Sequence, residues 1–260
     1  MNVPEPQAPH TVLTDFYTTS EARAGFVNRL FDNTARHYDR VSSLFSFGSD
    51  KRYRRRALQA AGMRPGFKLL DVATGTGLVL QAALDMGIPA EDLVGLDPSA
   101  GMLEENRRLH AVKLVQGVGE HLPFPEASFD FISMGYALRH VEDLGALFTE
   151  FRRVLKPGGR ILILEISRPK SQFAFFLMKL YMGKLVPFIT GLFTGQREVA
   201  RLMEYYWATI AECVPPETIL AAIRSAGFHD ARRKLTGGIL SDYTAVNGLT
   251  PTAVTPTPAC

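Results

Sequence analysis

A chain of 260 residues with 46% hydrophobic and 21% charged side chains has the size and balance of one globular α/β domain with added helices, which excludes wholesale disorder and a polytopic membrane protein. Its 29 basic and 26 acidic residues leave a net charge of +3, too near balance to imply nucleic acid as a partner. The two cysteines, Cys213 and Cys260, stand outside any Cys/His cluster, so neither a disulfide framework nor a metal site is expected.

Residues 1–20 carry Pro4, Pro6 and Pro9 and read as extended or disordered. With no basic patch leading into an apolar run they are not a secretory signal, and the cytoplasm is the default compartment. Residues 21–66 read as a helical cap. Glu21 to Leu58 is helical, with Phe26, Leu30 and Phe31 on one face and aromatic residues continuing through Tyr38, Phe45 and Phe47. The run Lys51-Arg52-Tyr53-Arg54-Arg55-Arg56 is either a solvated helix face partly packed on the core or a surface for anionic lipid. It lacks the aromatic platform that a single nucleic acid strand needs.

From Lys68 short apolar runs alternate with helical segments, the pattern of a βαβ sheet, and residues 67–246 form the expected catalytic domain. Strands are expected at Lys68 to Ala73, Leu93 to Asp97, Lys113 to Gln116, Phe129 to Ser133 and Arg160 to Ile166, with helices at Leu78 to Met86, Gly101 to Leu109 and Leu144 to Leu155. Lys156-Pro157-Gly158-Gly159 reads as a helix stop and turn. Residues 169–212 are an insertion containing the Phe-, Leu- and Met-rich stretch Phe173 to Phe193, which Lys179, Lys184, Pro187 and two glycines interrupt too often for a membrane span. A helix at Pro216 to Ala226 and two strands around Gly237-Gly238 would complete seven strands, the last antiparallel. Residues 247–260 are a Thr/Pro/Ala tail expected to be disordered.

The decisive segment is Leu69 to Gly77. Asp71-Val72-Ala73-Thr74-Gly75-Thr76-Gly77 follows an apolar strand and precedes a helix, the context in which a glycine turn lets a ligand approach the backbone beside free helix N–H groups. A carboxylate at Asp71 would repel a pyrophosphate and suit an ammonium group, which favours the amino acid end of S-adenosylmethionine over a dinucleotide. Asp97 closes the second strand, where an acid can accept hydrogen bonds from both ribose hydroxyls. Dehydrogenases of the Rossmann type share that ribose logic, so the distinction rests on Asp71 and the antiparallel last strand.

In this order and spacing, LLDVATGTG, GLDPSAGML, GEHLPFPEASFD, ALRHV and FRRVLKPGGRILILEISRP, with LFDNTARHYDRVSSLFSFGSDKRYRRRAL upstream, resemble the UbiE family of ubiquinone and menaquinone C-methyltransferases. The resemblance is strong from Val27 to Pro169 and looser to about Tyr243. It implies a Rossmann-like class I methyltransferase fold, a seven-stranded and mostly parallel sheet with an antiparallel last strand. It places cofactor contacts on Thr76, Asp97, Val118, Gly119 and Gly135, beside the turn residues Asp71, Ala73, Gly75 and Gly77. Val118 stands where the family carries Asp or Asn, and Gly135 where many members carry serine.

The family's Arg-Asn pair is Arg139-His140 here. Methyl transfer needs an aligned nucleophile and stabilised charge, and no metal. Arg139, always protonated, is expected to clamp a phenolate electrostatically, while His140 is either a base or a positional group. Tyr38 and Asp39 fall at the family's substrate-side Tyr-Asp position, and Ser42 replaces its asparagine. Phe173 to Phe193 is expected to be a lid over an isoprenoid substrate, with an interfacial surface or plain helix packing as alternatives.

The expected partners are therefore a hydrophobic prenylated aromatic substrate, a peripheral contact with the inner membrane, and a homodimer or biosynthetic complex, with no nucleic acid. The rival functions are methylation of another hydrophobic aromatic or polyene metabolite, and a non-catalytic subunit that kept the fold.

Overall fold

The computed structural model describes residues 7–46, 50–194 and 197–248. Phe47, the side chains of Ser42 and Phe45, and the tail from 249 onward lie outside the described residues. Helices α1 (Ser20–Ser46) and α2 (Asp50–Ala60) precede a βα series: β1 (Leu69–Val72), α3 (Leu78–Leu84), β2 (Leu93–Asp97), α4 (Ala100–Leu109), β3 (Lys113–Gln116), β4 (Phe129–Gly135), α5 (Leu144–Val154) and β5 (Leu155–Ile166). Then come α6 (Gln172–Leu180), a π-helical turn (Tyr181–Leu185), α7 (Val186–Thr194), α8 (Arg197–Glu212), α9 (Pro216–Ser225), β6 (Phe228–Thr236) and β7 (Leu240–Asn247).

The strands form one seven-stranded sheet in the order β3-β2-β1-β4-β5-β7-β6. β1, β2, β3, β4 and β5 pair in parallel, and β7 runs antiparallel to both β5 and β6. The antiparallel last strand is thus as the sequence implied. β1 and β2 are buried along their whole length, the reason their residues are apolar apart from Gly95 and the buried carboxylates Asp71 and Asp97. Alternate residues feed opposite faces: Leu70, Val72 and Ile132 join Phe148 and Phe151 of α5 on one side, whereas Leu69 and Phe131 join Leu58 of α2 and Leu80 of α3 on the other. A third core couples Leu13, Tyr17 and Leu30 of the N-terminal part to Val186, Leu202 and Tyr205 of α7 and α8.

Two segments bear on the expectations. The Lys156 to Gly159 segment lies within the span of β5 but is looped out of its ladder: Leu155 pairs with Phe129 and Arg160 with Phe131, and Gly158 has a positive φ of 78°, so the expected stop and turn is there as a bulge. The apolar stretch after Pro169 is not broken. Its glycine at Gly183 lies under Trp207, where a Cβ would come within 3.0 Å of the indole, and the π-helical turn carries the helix past Pro187. Gln172–Leu192 consequently has the length and apolarity of a membrane span, with a mean hydropathy of 1.4 and only 17% of an 18-residue window buried.

The candidate cofactor and reaction site

A cavity of about 400 Å³ opens at the C-terminal ends of β1, β2 and β4, the crevice where α/β sheets bind ligands. Its floor at one end is Ala73, Gly75 and Asp97, followed by Met102, Val118 and Gly119. At the other end Phe31, Tyr38, Tyr136, His140 and Tyr206 form an aromatic chamber.

The turn is shaped for close approach. Gly75 and Gly77 have positive φ, as does Ala73 at 53°, a conformation that ordinary side chains resist. At Gly119 a Cβ would lie 2.5 Å from Leu147, and at Gly135 one would lie 3.0 Å from Val79 and 3.1 Å from the Arg54 guanidinium. Asp97 accepts the Gly75 N–H at 2.8 Å and the Ser99 N–H at 2.9 Å. Burial raises its pKa to about 6 against the lowering effect of those N–H groups, and the nearby Asp71 adds to the rise. A buried carboxylate on the wall of a cleft, with lone pairs to spare, fits a ribose diol, and the bare backbone at Gly75 and Gly119 fits a ligand laid across it.

Other residues take different roles from those expected. Asp71 does not reach the cavity: its two oxygens accept from Thr74 at 2.7 Å and Ser133 at 2.6 Å, so it braces the turn from beneath. Burial raises its pKa to about 6 as well. Thr76 is buried and donates to Asp39, linking the turn to α1. A Cβ at Gly77 would strike Asn106 and His110, so this glycine permits helix packing. Ala73, Gly75, Asp97, Val118, Gly119 and Gly135 do share the cavity wall, as do Tyr38 and His140.

Arg139 is displaced from its expected place. Its side chain is 1% exposed, is absent from the cavity wall and forms a buried ion pair with Glu165. Its Nε also donates to Thr209 at 3.3 Å. The reason is position: Leu138–His140 is a 3-10 turn that sends residue 139 into the core and residue 140 into the chamber. The wall over the aromatic end also differs from the expected lid. It comes from α1 and from Tyr206 of α8, and among the described residues none of 172–192 lines the cavity.

Several wall residues escaped the sequence reading. Ala24, Asn28 and Phe31 lie along one face of α1, at helical spacing, yet nothing in their types announces a site. Asn28 Oδ1 and His140 Nε2 are both buried without a partner, as befits polar atoms that await a ligand. The Arg54 guanidinium turns inward from the basic run, pairs with Asp50 at 2.8 Å and lies 4.9 Å over the Tyr136 ring. Tyr206 donates to the Tyr38 hydroxyl at 3.0 Å, closing the chamber.

A model of the ubiE/COQ5 methyltransferase family matches residues 17–247. The chain belongs to this family. Demethylmenaquinone methyltransferases from Staphylococcus aureus strains JH9 and Newman are 35% identical to it over 223 residues, covering 82% of this chain and 89% of theirs. The fold is also that of a SAM-dependent methyltransferase from Thermotoga maritima, titled a possible histamine N-methyltransferase, with a TM-score of 0.60, 18% identity and coverage of 85% and 99%. A phosphoethanolamine N-methyltransferase 2 from Haemonchus contortus, solved with S-adenosyl-L-methionine, aligns at a TM-score of 0.54 and 18% identity over 76% of this chain and 52% of its own. The protein is a SAM-dependent methyltransferase whose cofactor is S-adenosylmethionine.

Proposed function

We propose that the chain methylates a ring carbon of a prenylated phenol or hydroquinone, demethylmenaquinol or a ubiquinone precursor. The observation that carries this reading is the aromatic chamber of Phe31, Tyr38, His140 and Tyr206, continuous with the Gly75 and Asp97 end of one cavity. Bound there, S-adenosylmethionine supplies an electrophilic methyl group on a sulfonium. Asp97 would hold its ribose, Gly75 and Gly119 would receive its backbone-facing edge, and Val118 with Met102 would pack its adenine.

The chain's own residues do the remainder. A ring carbon becomes nucleophilic when the neighbouring hydroxyl loses its proton or is strongly hydrogen-bonded. Phe31 and Tyr206, packed edge to face with centroids 6.1 Å apart, give the chamber an apolar wall against which a flat ring can lie and from which water is excluded. His140 and Asn28 offer the unpartnered polar atoms that address its oxygens. The relatives' names point to the same substrate class.

We place the protein in the cytoplasm with a peripheral bilayer contact through α6 and α7. Phe173, Phe176, Phe188 and Leu192 are each at least 60% exposed, and residues 167–197 contain five basic side chains and no acidic one, a combination suited to an anionic interface. The alternative substrate, another hydrophobic aromatic or polyene metabolite, is favoured by His140, standing where the family resemblance implies asparagine.

Complementation of strains lacking the quinone C-methyltransferase, with lipid extracts read by mass spectrometry, tests the proposal. Restored methylated quinone supports it. Absence of methylated quinone with cofactor binding intact turns the assignment to the alternative substrate.

A further inference from the structure

Tyr136 holds a backbone conformation that its side chain disfavours. Its φ is 60°, a left-handed value that bulky residues resist and that persists only where the surroundings fix it. The cause is its place at the end of β4. Its N–H still reaches the Leu164 carbonyl oxygen of β5 at 2.7 Å, and by Leu138 the chain has turned into the short 3-10 segment that carries His140. This exit turn packs the ring against the core cluster that contains Leu58 and Val79. The residue lines the cavity between Gly135 and Ala137, at the step from the cofactor end to the aromatic chamber.

What fixes the ring comes from α2. The Arg54 guanidinium lies 4.9 Å from the ring centroid, inside the range of about 6 Å over which an aromatic face holds a cation. The guanidinium is itself held: Nε donates to Asp50 Oδ1 at 3.0 Å and Nη2 to Asp50 Oδ2 at 2.8 Å, a two-pronged pairing that sets its plane as well as its place. Arg54 is buried while Arg52, Arg55 and Arg56 beside it are exposed, so a solvated basic face does not account for it. Nor is α2 loose, since Tyr53 donates to Asp242 of β7 and Leu58 is fully buried.

We propose that Arg54 is a positioning residue for methyl transfer: stacked on Tyr136, it fixes the ring that sets the substrate's reacting carbon in line with the cofactor's methyl group. This rests on the aromatic substrate proposed above. Tyr136 touches the substrate ring, and Arg54 acts only through Tyr136. An in-line displacement loses rate steeply when the reacting atoms are misplaced. A loosened Tyr136 therefore costs turnover, while the cofactor's own contacts at Gly75 and Asp97 stay as they are.

The experiment is a double-mutant cycle read in kcat with a short-chain prenylated naphthohydroquinone, with S-adenosylhomocysteine affinity and circular dichroism as controls. Removing the arginine alone would leave Asp50 without its partner, so the two are replaced together, as Asp50→Asn with Arg54→Met. This pair should lower kcat about tenfold with cofactor affinity and fold unchanged. Arg54→Lys, which keeps a cation beside the ring and a contact to Asp50, should retain most of the rate. Tyr136→Ala should lose as much as the pair, and adding the pair to it should cost nothing further. An undiminished kcat in the folded Asp50→Asn, Arg54→Met protein overturns the proposal, as do multiplying losses in the combined variant or a parallel loss of cofactor affinity. If the parent protein methylates no prenylated hydroquinone, the substrate assignment falls, and the hold of Arg54 on the ring is read by fluorine NMR of fluorotyrosine-labelled protein. The resonance missing from Tyr136→Phe should then shift in Asp50→Asn with Arg54→Met; an unmoved resonance overturns the role of Arg54.

Discussion

The hydroxyl of Thr76, at the glycine turn, donates to the carboxylate of Asp39 on α1. The helix is held a second time by Asp32, which accepts from the Ser99 hydroxyl at 2.6 Å and the Gly101 N–H at 2.9 Å. The cofactor end of the cavity and the helix that walls the substrate end are therefore one mechanical unit. Thr76→Val and Asp39→Ala should each weaken S-adenosylmethionine binding by about tenfold, in line with a lost charge-assisted hydrogen bond of about 1.5–3 kcal/mol. The double variant should be little worse than either single one by calorimetry, since both break one contact.

Asp97 links affinity to pH. Burial raises its pKa in the protein to about 6, above the ordinary carboxylate range. A raised carboxylate favours folding below the unfolded pKa, and this contribution is lost as pH rises through 6. Asp97→Asn should thus raise the Tm of the free protein at pH 8 and leave it nearly unchanged at pH 4. The same variant should lose about tenfold or more in cofactor affinity at pH 8, because the ionised form is the better acceptor for ribose hydroxyls. In the parent protein, affinity should fall as pH drops below about 6.

Arg139→Ala should act on the fold. It leaves Glu165 buried and unpaired, an error worth about 3–5 kcal/mol, or a fall in Tm of about 10 °C. Thermal melts should show most of that loss recovered in Arg139→Met with Glu165→Leu. A variant that loses turnover at unchanged Tm would instead restore the phenolate clamp expected from the sequence.

The apolar arm makes a separate prediction. Replacing Phe173, Phe176, Phe188 and Leu192 with serine removes side chains worth about 1.5–3 kcal/mol each on full burial. Flotation with liposomes containing anionic lipid should drop by at least a hundredfold in partition coefficient, with turnover of a water-soluble substrate unaltered. Lys179→Glu with Lys184→Glu should make binding insensitive to the anionic fraction.

The sheet was largely legible because β1, β2 and β4 are apolar runs bounded by turns, and burial on both faces leaves them no other use. The cofactor end was legible for a local reason: Ala73 to Gly77 is a contiguous turn whose geometry needs those residues. The substrate end was not, since its wall is assembled from Asn28 on α1, His140 after β4 and Tyr206 on α8, which only tertiary packing brings together. Arg139 misled because adjacent residues on a 3-10 turn point opposite ways, and spacing alone does not say which one enters the chamber. Arg54 was hidden in a run of like charges, where only burial separates an inward guanidinium from its solvated neighbours.

Gly135 and Arg54 close against each other so tightly that a Cβ on the glycine would sit 3.1 Å from the guanidinium. A side chain at 135 would have to displace Val79, 3.0 Å from the same Cβ position, or the flexible end of Arg54 by a few tenths of an ångström. The bareness of residue 135 thereby sets where the Arg54 charge rests over the Tyr136 ring.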